Sequence, residues 1–137
     1  MSGEMNLEVL LKSMRPVLRE GELVFLTTRR SLLEVAHLEP LGLFQEEEGL
    51  TLILPREKAD AAGLPYSAVF RMITLSVNSS LEAVGFLAAI TNRLAARGIS
   101  VNPVSAYFHD HLFVPSARAE ESLALLAGLA RGDPAPA

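Results

Sequence analysis

Apolar and polar positions alternate along this chain in two rhythms, and the switches between them mark out its elements. Leu7, Leu10, Leu11 and Met14 recur at three- and four-residue steps, which predicts a helix that Pro16 ends at about Met14 or Arg15. Arg19, Glu20 and Gly21 form a polar turn into a β-rich run, Leu23 to Thr28. A short helix is expected within Arg29 to His37, followed by strands at Leu41 to Gln45 and Leu50 to Leu54. Glu46, Glu47, Glu48 and Gly49 supply a charged turn between those strands. Pro55 opens a second short helix, Arg56 to Ala62, where its missing N–H has no helical partner to lose.

The second half repeats this order with longer elements. Arg71 to Val77 alternates, with Ile73, Leu75 and Val77 on one face and Met72, Thr74 and Ser76 on the other. Ser79 and Glu82 have capping-box spacing ahead of a helix expected from about Ser80 to Arg97, which Gly98 ends. Ile99 to Phe108 reads as a strand, and Pro103 confines it to a sheet edge or a bulge, because proline cannot donate to the ladder. His109-Asp110 turns into His111 to Val114, and a last helix is expected over Ala117 to Ala130.

Strand–helix–strand–strand–helix therefore occurs twice, and LTLILPREKA around Pro55 echoes HLFVPSARA around Pro115. The expected organisation is an internal duplication. It comprises a leading helix and shorter unit over 1–66, a fuller unit over 67–131 and a frayed tail over 132–137. The expected fold class is α+β: ferredoxin-like βαββαβ units in tandem, with antiparallel sheets and helices on one face. Neither half carries an obvious closing strand. An open sheet edge is a liability, so the missing strands are expected from the other half or from a second subunit.

Composition narrows the function. The net charge is −4 with no Lys/Arg cluster, which argues against a nucleic-acid partner. There is no cysteine, so disulfides, thiol nucleophiles and thiolate metal sites are all excluded. The start, MSGEMN, lacks a signal peptide's basic region, and the longest apolar run, Ala83 to Ile90, is far below the roughly 20 residues that span a bilayer. The expectation is a cytoplasmic protein with no membrane partner.

The stretch FRMITLSVNSSLEAVGFLAAITNRLAARGISVNPVSAYFHDHLFV resembles an ACT domain: a strand, a short polar loop, a helix with a glycine in its first turns, and a strand after an RGI-like helix end. From about Leu7 to Leu129 the chain also resembles small, uncharacterised bacterial proteins made of tandem ACT-like units. The resemblance implies a regulatory module that binds an amino acid or similar metabolite at an interface between two units, in a homodimer. Carried over by position, it implies a ligand site at Asn78, Ser79, Ser80, Val84, Gly85, Phe86 and Asn102. The loop departs from the family's Asp-x-x-Gly pattern, and Arg29 to His37 is too short for the family's first helix, so no site residue is carried onto the first half.

The residues allow plainer readings as well. Ser79 and Glu82 are fully explained by helix capping, and Gly85 by close packing of helix on sheet. His109, Asp110 and His111 are metal-ligand types, yet a turn using Asp for local hydrogen bonds accounts for them, and no metal or other cofactor is expected. No nucleophile elbow, phosphate loop or zinc-helix motif is present, so no catalytic residue is assigned. A protein-interaction module without a small ligand is the alternative function.

Overall fold

Asn6 caps the first helix, its side-chain oxygen accepting from the Val9 N–H at 3.2 Å. The computed structural model describes residues 6–77 and 83–134. Helix α1 (Leu7–Ser13) leads into β1 (Pro16–Leu18) and β2 (Leu23–Thr28). Helix α2 (Leu32–Val35) runs into a 3-10 turn at Ala36–Leu38, followed by β3 (Gly42–Gln45), β4 (Leu50–Pro55) and α3 (Arg56–Ala61). Then come β5 (Val69–Leu75), α4 (Phe86–Ala95), β6 (Asn102–Ser105), β7 (Asp110–Pro115) and α5 (Ala119–Arg131).

These elements form two units. The inserted unit holds residues 20–70; the split unit joins the described residues up to Arg19 with those from Arg71 onward. In the inserted unit the strand order is β3-β4-β2-β5, and β5 contributes only its first two residues, Leu23 facing Phe70 and Val24 facing Val69. Val24, Leu26, Leu50, Leu52 and Leu54 bury one sheet face against Val35 and Ala59. In the split unit the order is β1-β5-β7-β6. Ile73, Leu75, Leu112 and Val114 meet Leu10 of α1, Phe86, Ile90 and Leu94 of α4, and Leu126 of α5. In the inserted unit that order is fourth–first–third–second along the chain, and the split unit has the same arrangement with β1, the earliest strand of the chain, in the fourth strand's place, so both units are ferredoxin-like and the fold is α+β as expected.

The missing closing strands are both found within the chain. The split unit is closed by β1, whose Pro16, Val17 and Leu18 face Leu75, Thr74 and Ile73. The Arg19 N–H donates to the Met72 carbonyl (2.8 Å) and the Ser76 N–H to the Arg15 carbonyl (3.1 Å). Three residues are too few to show an alternating pattern, and Pro16 reads as a helix stop, so β1 was not foreseen. Proline is tolerated there because it is the strand's first residue. The inserted unit is closed by Val69–Phe70, the start of a strand expected to begin only at Arg71.

The duplication is visible at atomic detail. Strands β4 and β7 both bury their first, third, fourth and fifth residues. Pro55 (φ −53°, ψ 135°) and Pro115 (φ −53°, ψ 134°) leave them with the same backbone. Pro103 lies on the edge strand β6, where its lack of a donor is tolerated. Gly49 is needed for space, since a Cβ there would stand 2.9 Å from the Thr28 carbonyl oxygen.

Candidate functional site

The sequence-assigned site begins beyond the end of β5. Asn78, Ser79 and Ser80, and with them the Ser79–Glu82 capping box, lie outside the described residues. Helix α4 begins at Phe86 rather than near Ser80, because Gly85 takes a left-handed backbone (φ 89°) that no helix continues through. The Gly85 carbonyl accepts the first helical bond, from the Ala89 N–H at 2.9 Å. Val84 beside it is 83% exposed. Phe86 turns the other way, into the apolar cluster with Leu10, Met14 and Ile90. Its ring positions the helix on the sheet.

Asn102 is exposed at the start of β6, facing Phe113 across the ladder. The hairpin that ends β6 lies at the end of the sheet where β5 stops, since His109 Nδ1 is 3.4 Å from the Val77 carbonyl oxygen. At roughly 3.3 Å per residue, the four steps from Asn102 to Ala106 place Asn102 ~13 Å from that end, and two strands across. Within one unit, then, Asn102 and the end of β5 do not converge.

What does gather at the end of β5 is a polar group that the resemblance did not select. The Thr74 hydroxyl lies 3.0 Å from His111 Nδ1, and the His109 and His111 rings are 6.4 Å apart, nearly perpendicular. Asp110, buried between them in sequence, accepts from the Ser105 hydroxyl at 2.7 Å. Burial holds the His111 imidazole below the usual histidine range; the charges of His109 and Arg19 push the same way, against that of Asp110. His109 immediately precedes β7 and His111 follows it two positions on, which puts the two rings on one side as neighbours. Thr74 sits on the polar face read from the alternation of β5, and that was the signal for its role. Among the described residues no three His, Cys, Asp or Glu side chains are grouped as a metal site.

Two shallow clefts among the described residues are further candidates. One, about 390 Å³, lies in the split unit between Glu8, Leu11 and Lys12 of α1 and Leu129 to Asp133 at the end of α5. The other, about 330 Å³, lies in the inserted unit and is lined by Gly21, Glu22, Pro55, Arg56, Glu57 and Asp60. Arg56 is held there by Glu22 (3.1 Å) and the Tyr66 hydroxyl (2.9 Å), which in turn donates to Asp60 at 2.7 Å. Neither cleft contains a sequence-assigned site residue. Both are at the small end of the range for metabolite pockets.

Two models of the ACT domain match the chain, one over residues 2–71 and one over residues 67–127. Among solved structures, a Vibrio cholerae protein of unknown function, a possible transport protein, is 48% identical; the match covers 90% of this chain and 95% of that one, with a TM-score of 0.84. A protein from Agrobacterium tumefaciens is 17% identical, with 85% and 89% covered and a TM-score of 0.67. The ligand-free regulatory subunit of aspartate kinase from Thermus thermophilus is 9% identical, with 87% and 97% covered and a TM-score of 0.62. These last two share the fold. A search of curated proteins found no match.

Proposed function

The chain belongs to the ACT domain family, as two units in tandem, and from that premise we propose that it is a non-catalytic, cytoplasmic regulatory protein that binds an amino acid or similar small metabolite at a seam between two ACT units, as a homodimer. The observation that carries the reading is the tandem pair itself, in a chain with no catalytic motif. The likeness in fold to an aspartate kinase regulatory subunit supports it. The ligand site comprises the loop Asn78 to Ser80 with Val84 and Gly85. Gly85 opens the helix beside the loop with a left-handed backbone, a Cβ there standing 3.6 Å from Leu7 Cδ2, and Phe86 supports the site from the core. Asn102 joins it from a unit of the second copy, which is why its distance from the end of β5 within its own unit does not count against the seam.

Thermal-shift screening of the full chain against amino acids tests this. A ligand that binds only the folded state raises the midpoint, by the equivalent of about 2.7 kcal/mol at a hundred times its dissociation constant. No shift with any amino acid at millimolar concentration removes the ligand from the reading. The alternative, an assembly module with no small ligand, is favoured by one observation: the apolar side chains left exposed on edge elements, Leu41, Leu43 and Phe44 in one unit and Val104, Tyr107 and Phe108 in the other. Asn102→Ala separates the two, since it weakens ligand binding under the first reading and changes nothing under the second.

A further inference from the structure

The duplication supplies an internal control for the hairpin between β6 and β7. Each of its residue pairs is the β3–β4 pair advanced by sixty positions, from Gly42 facing Ile53 and Asn102 facing Phe113 to Gln45 facing Leu50 and Ser105 facing Asp110. Both hairpins close alike: the Glu46 N–H donates to the Gly49 carbonyl (2.9 Å) and the Ala106 N–H to the His109 carbonyl (3.0 Å). The tips carry opposite chemistry. Glu46, Glu47, Glu48, Gly49 and Leu50 of the first stand where the second has Ala106, Tyr107, Phe108, His109 and Asp110. The same turn is built with Glu47 and Glu48, so the backbone does not require the aromatic pair. Nor does the core: Tyr107 and Phe108 are 66% and 63% exposed, and their rings meet only edge-to-face with each other, centroids 5.0 Å apart.

The aromatic pair is held at a defined place. Asp110, buried at the base of the tip, accepts from the Ser105 hydroxyl at 2.7 Å, and His109 Nδ1 lies 3.4 Å from the carbonyl oxygen of Val77, the residue that leads into Asn78 in sequence. The rings therefore stand at the end of the split unit's sheet where β5 stops. Val84, 83% exposed ahead of α4, adds an aliphatic side chain. None of Val84, Gly85, Phe86, Asn102, Tyr107 and Phe108 carries a charge. A charged ligand side chain among them would lose hydration without gaining a partner, whereas a large apolar one would bury its own surface together with that of the two rings. We propose that Tyr107 and Phe108 form the apolar wall of the ligand site and restrict it to amino acids with a large aliphatic or aromatic side chain. The inference rests on the ligand site proposed above and names its ligand class.

Thermal-shift titration of the full chain with phenylalanine, leucine, serine, aspartate and lysine reads the preference. Phenylalanine and leucine should raise the midpoint at concentrations where the other three do not. Tyr107→Glu/Phe108→Glu gives the tip the residues that its counterpart carries, so the turn is preserved. That variant should keep the ligand-free midpoint and the dimer, and weaken phenylalanine binding by at least about tenfold. Glu47→Tyr/Glu48→Phe at the other hairpin should leave binding unchanged. If the variant at Tyr107 and Phe108 does not melt cooperatively, the side-chain preference alone decides. Preferential binding of serine, aspartate or lysine, or phenylalanine binding that the variant leaves intact, overturns the wall and leaves the ligand site standing. A variant that loses binding together with its dimer, by light scattering, assigns the rings to assembly and also overturns the wall. No shift with any amino acid overturns both readings.

Discussion

Leu10→Ala is the sharpest probe of how the chain is divided. Leu10 is fully buried on α1, in one apolar cluster with Ile73 and Leu75 of β5, Phe86 and Ile90 of α4 and Leu126 of α5. All of those partners lie more than sixty residues away in sequence. Truncating a fully buried leucine removes its transfer free energy and leaves a cavity, and in well-packed cores the sum is about 3–4 kcal/mol. For a chain of this length that corresponds to a midpoint lowered by about 10 °C. Chemical denaturation measures the energy, and hydrogen exchange gives its location: the Ile73, Leu75, Ile90 and Leu94 amides should lose protection first. Leu33→Ala is the control, since that leucine is 90% exposed and its loss should stay within about 0.5 kcal/mol. A Leu10→Ala penalty below about 1 kcal/mol, with the β5 and α4 amides as protected as before, would refute the placement of α1 in the split unit's core.

Further predictions concern single groups. Gly49→Ala should destabilise by about 1–3 kcal/mol, because its Cβ would meet Thr27 Oγ1 at 2.8 Å and the Thr28 carbonyl at 2.9 Å; wild-type stability in urea would show that the hairpin has room to give. Ser31→Ala removes half of an observed capping box, in which the Ser31 hydroxyl accepts from the Glu34 N–H and the Glu34 carboxylate from the Ser31 N–H, and should cost about 1 kcal/mol by denaturation. His111 sets a pH dependence. Its folded pKa is depressed, so below about 6.5 the unfolded chain takes up a proton that the folded one resists, and stability falls as pH drops through that region. His111→Gln should flatten the fall between neutral and mildly acidic pH, and an unchanged slope would exclude His111 as its source.

Much of the fold was legible in the residues because its elements follow periodic patterns. The β-rich run of β2, the alternation of β5, the proline stops and the glycine turns each report a local backbone preference that needs no distant partner. The duplication was legible for the same reason, as two apolar strands running into Pro55 and Pro115. The candidate site was less so. The sequence put Gly85 inside a helix, but its left-handed backbone makes it the helix's boundary, and Phe86, assigned to the site, turns inward to the core. Thr74 and His111 are 37 residues apart, and only the pairing of β5 with β7 brings them together.

By itself the sequence determined that this chain folds as repeated α+β units, and that its chemistry is not that of a thiol, phosphate-loop or nucleophile-elbow enzyme. Only the tertiary structure decided where the units close. Strand β1 has three residues and an initial proline, so nothing local distinguishes it from a turn; it is a strand because β5 offers it a ladder and α1 anchors it through Leu10 and Met14.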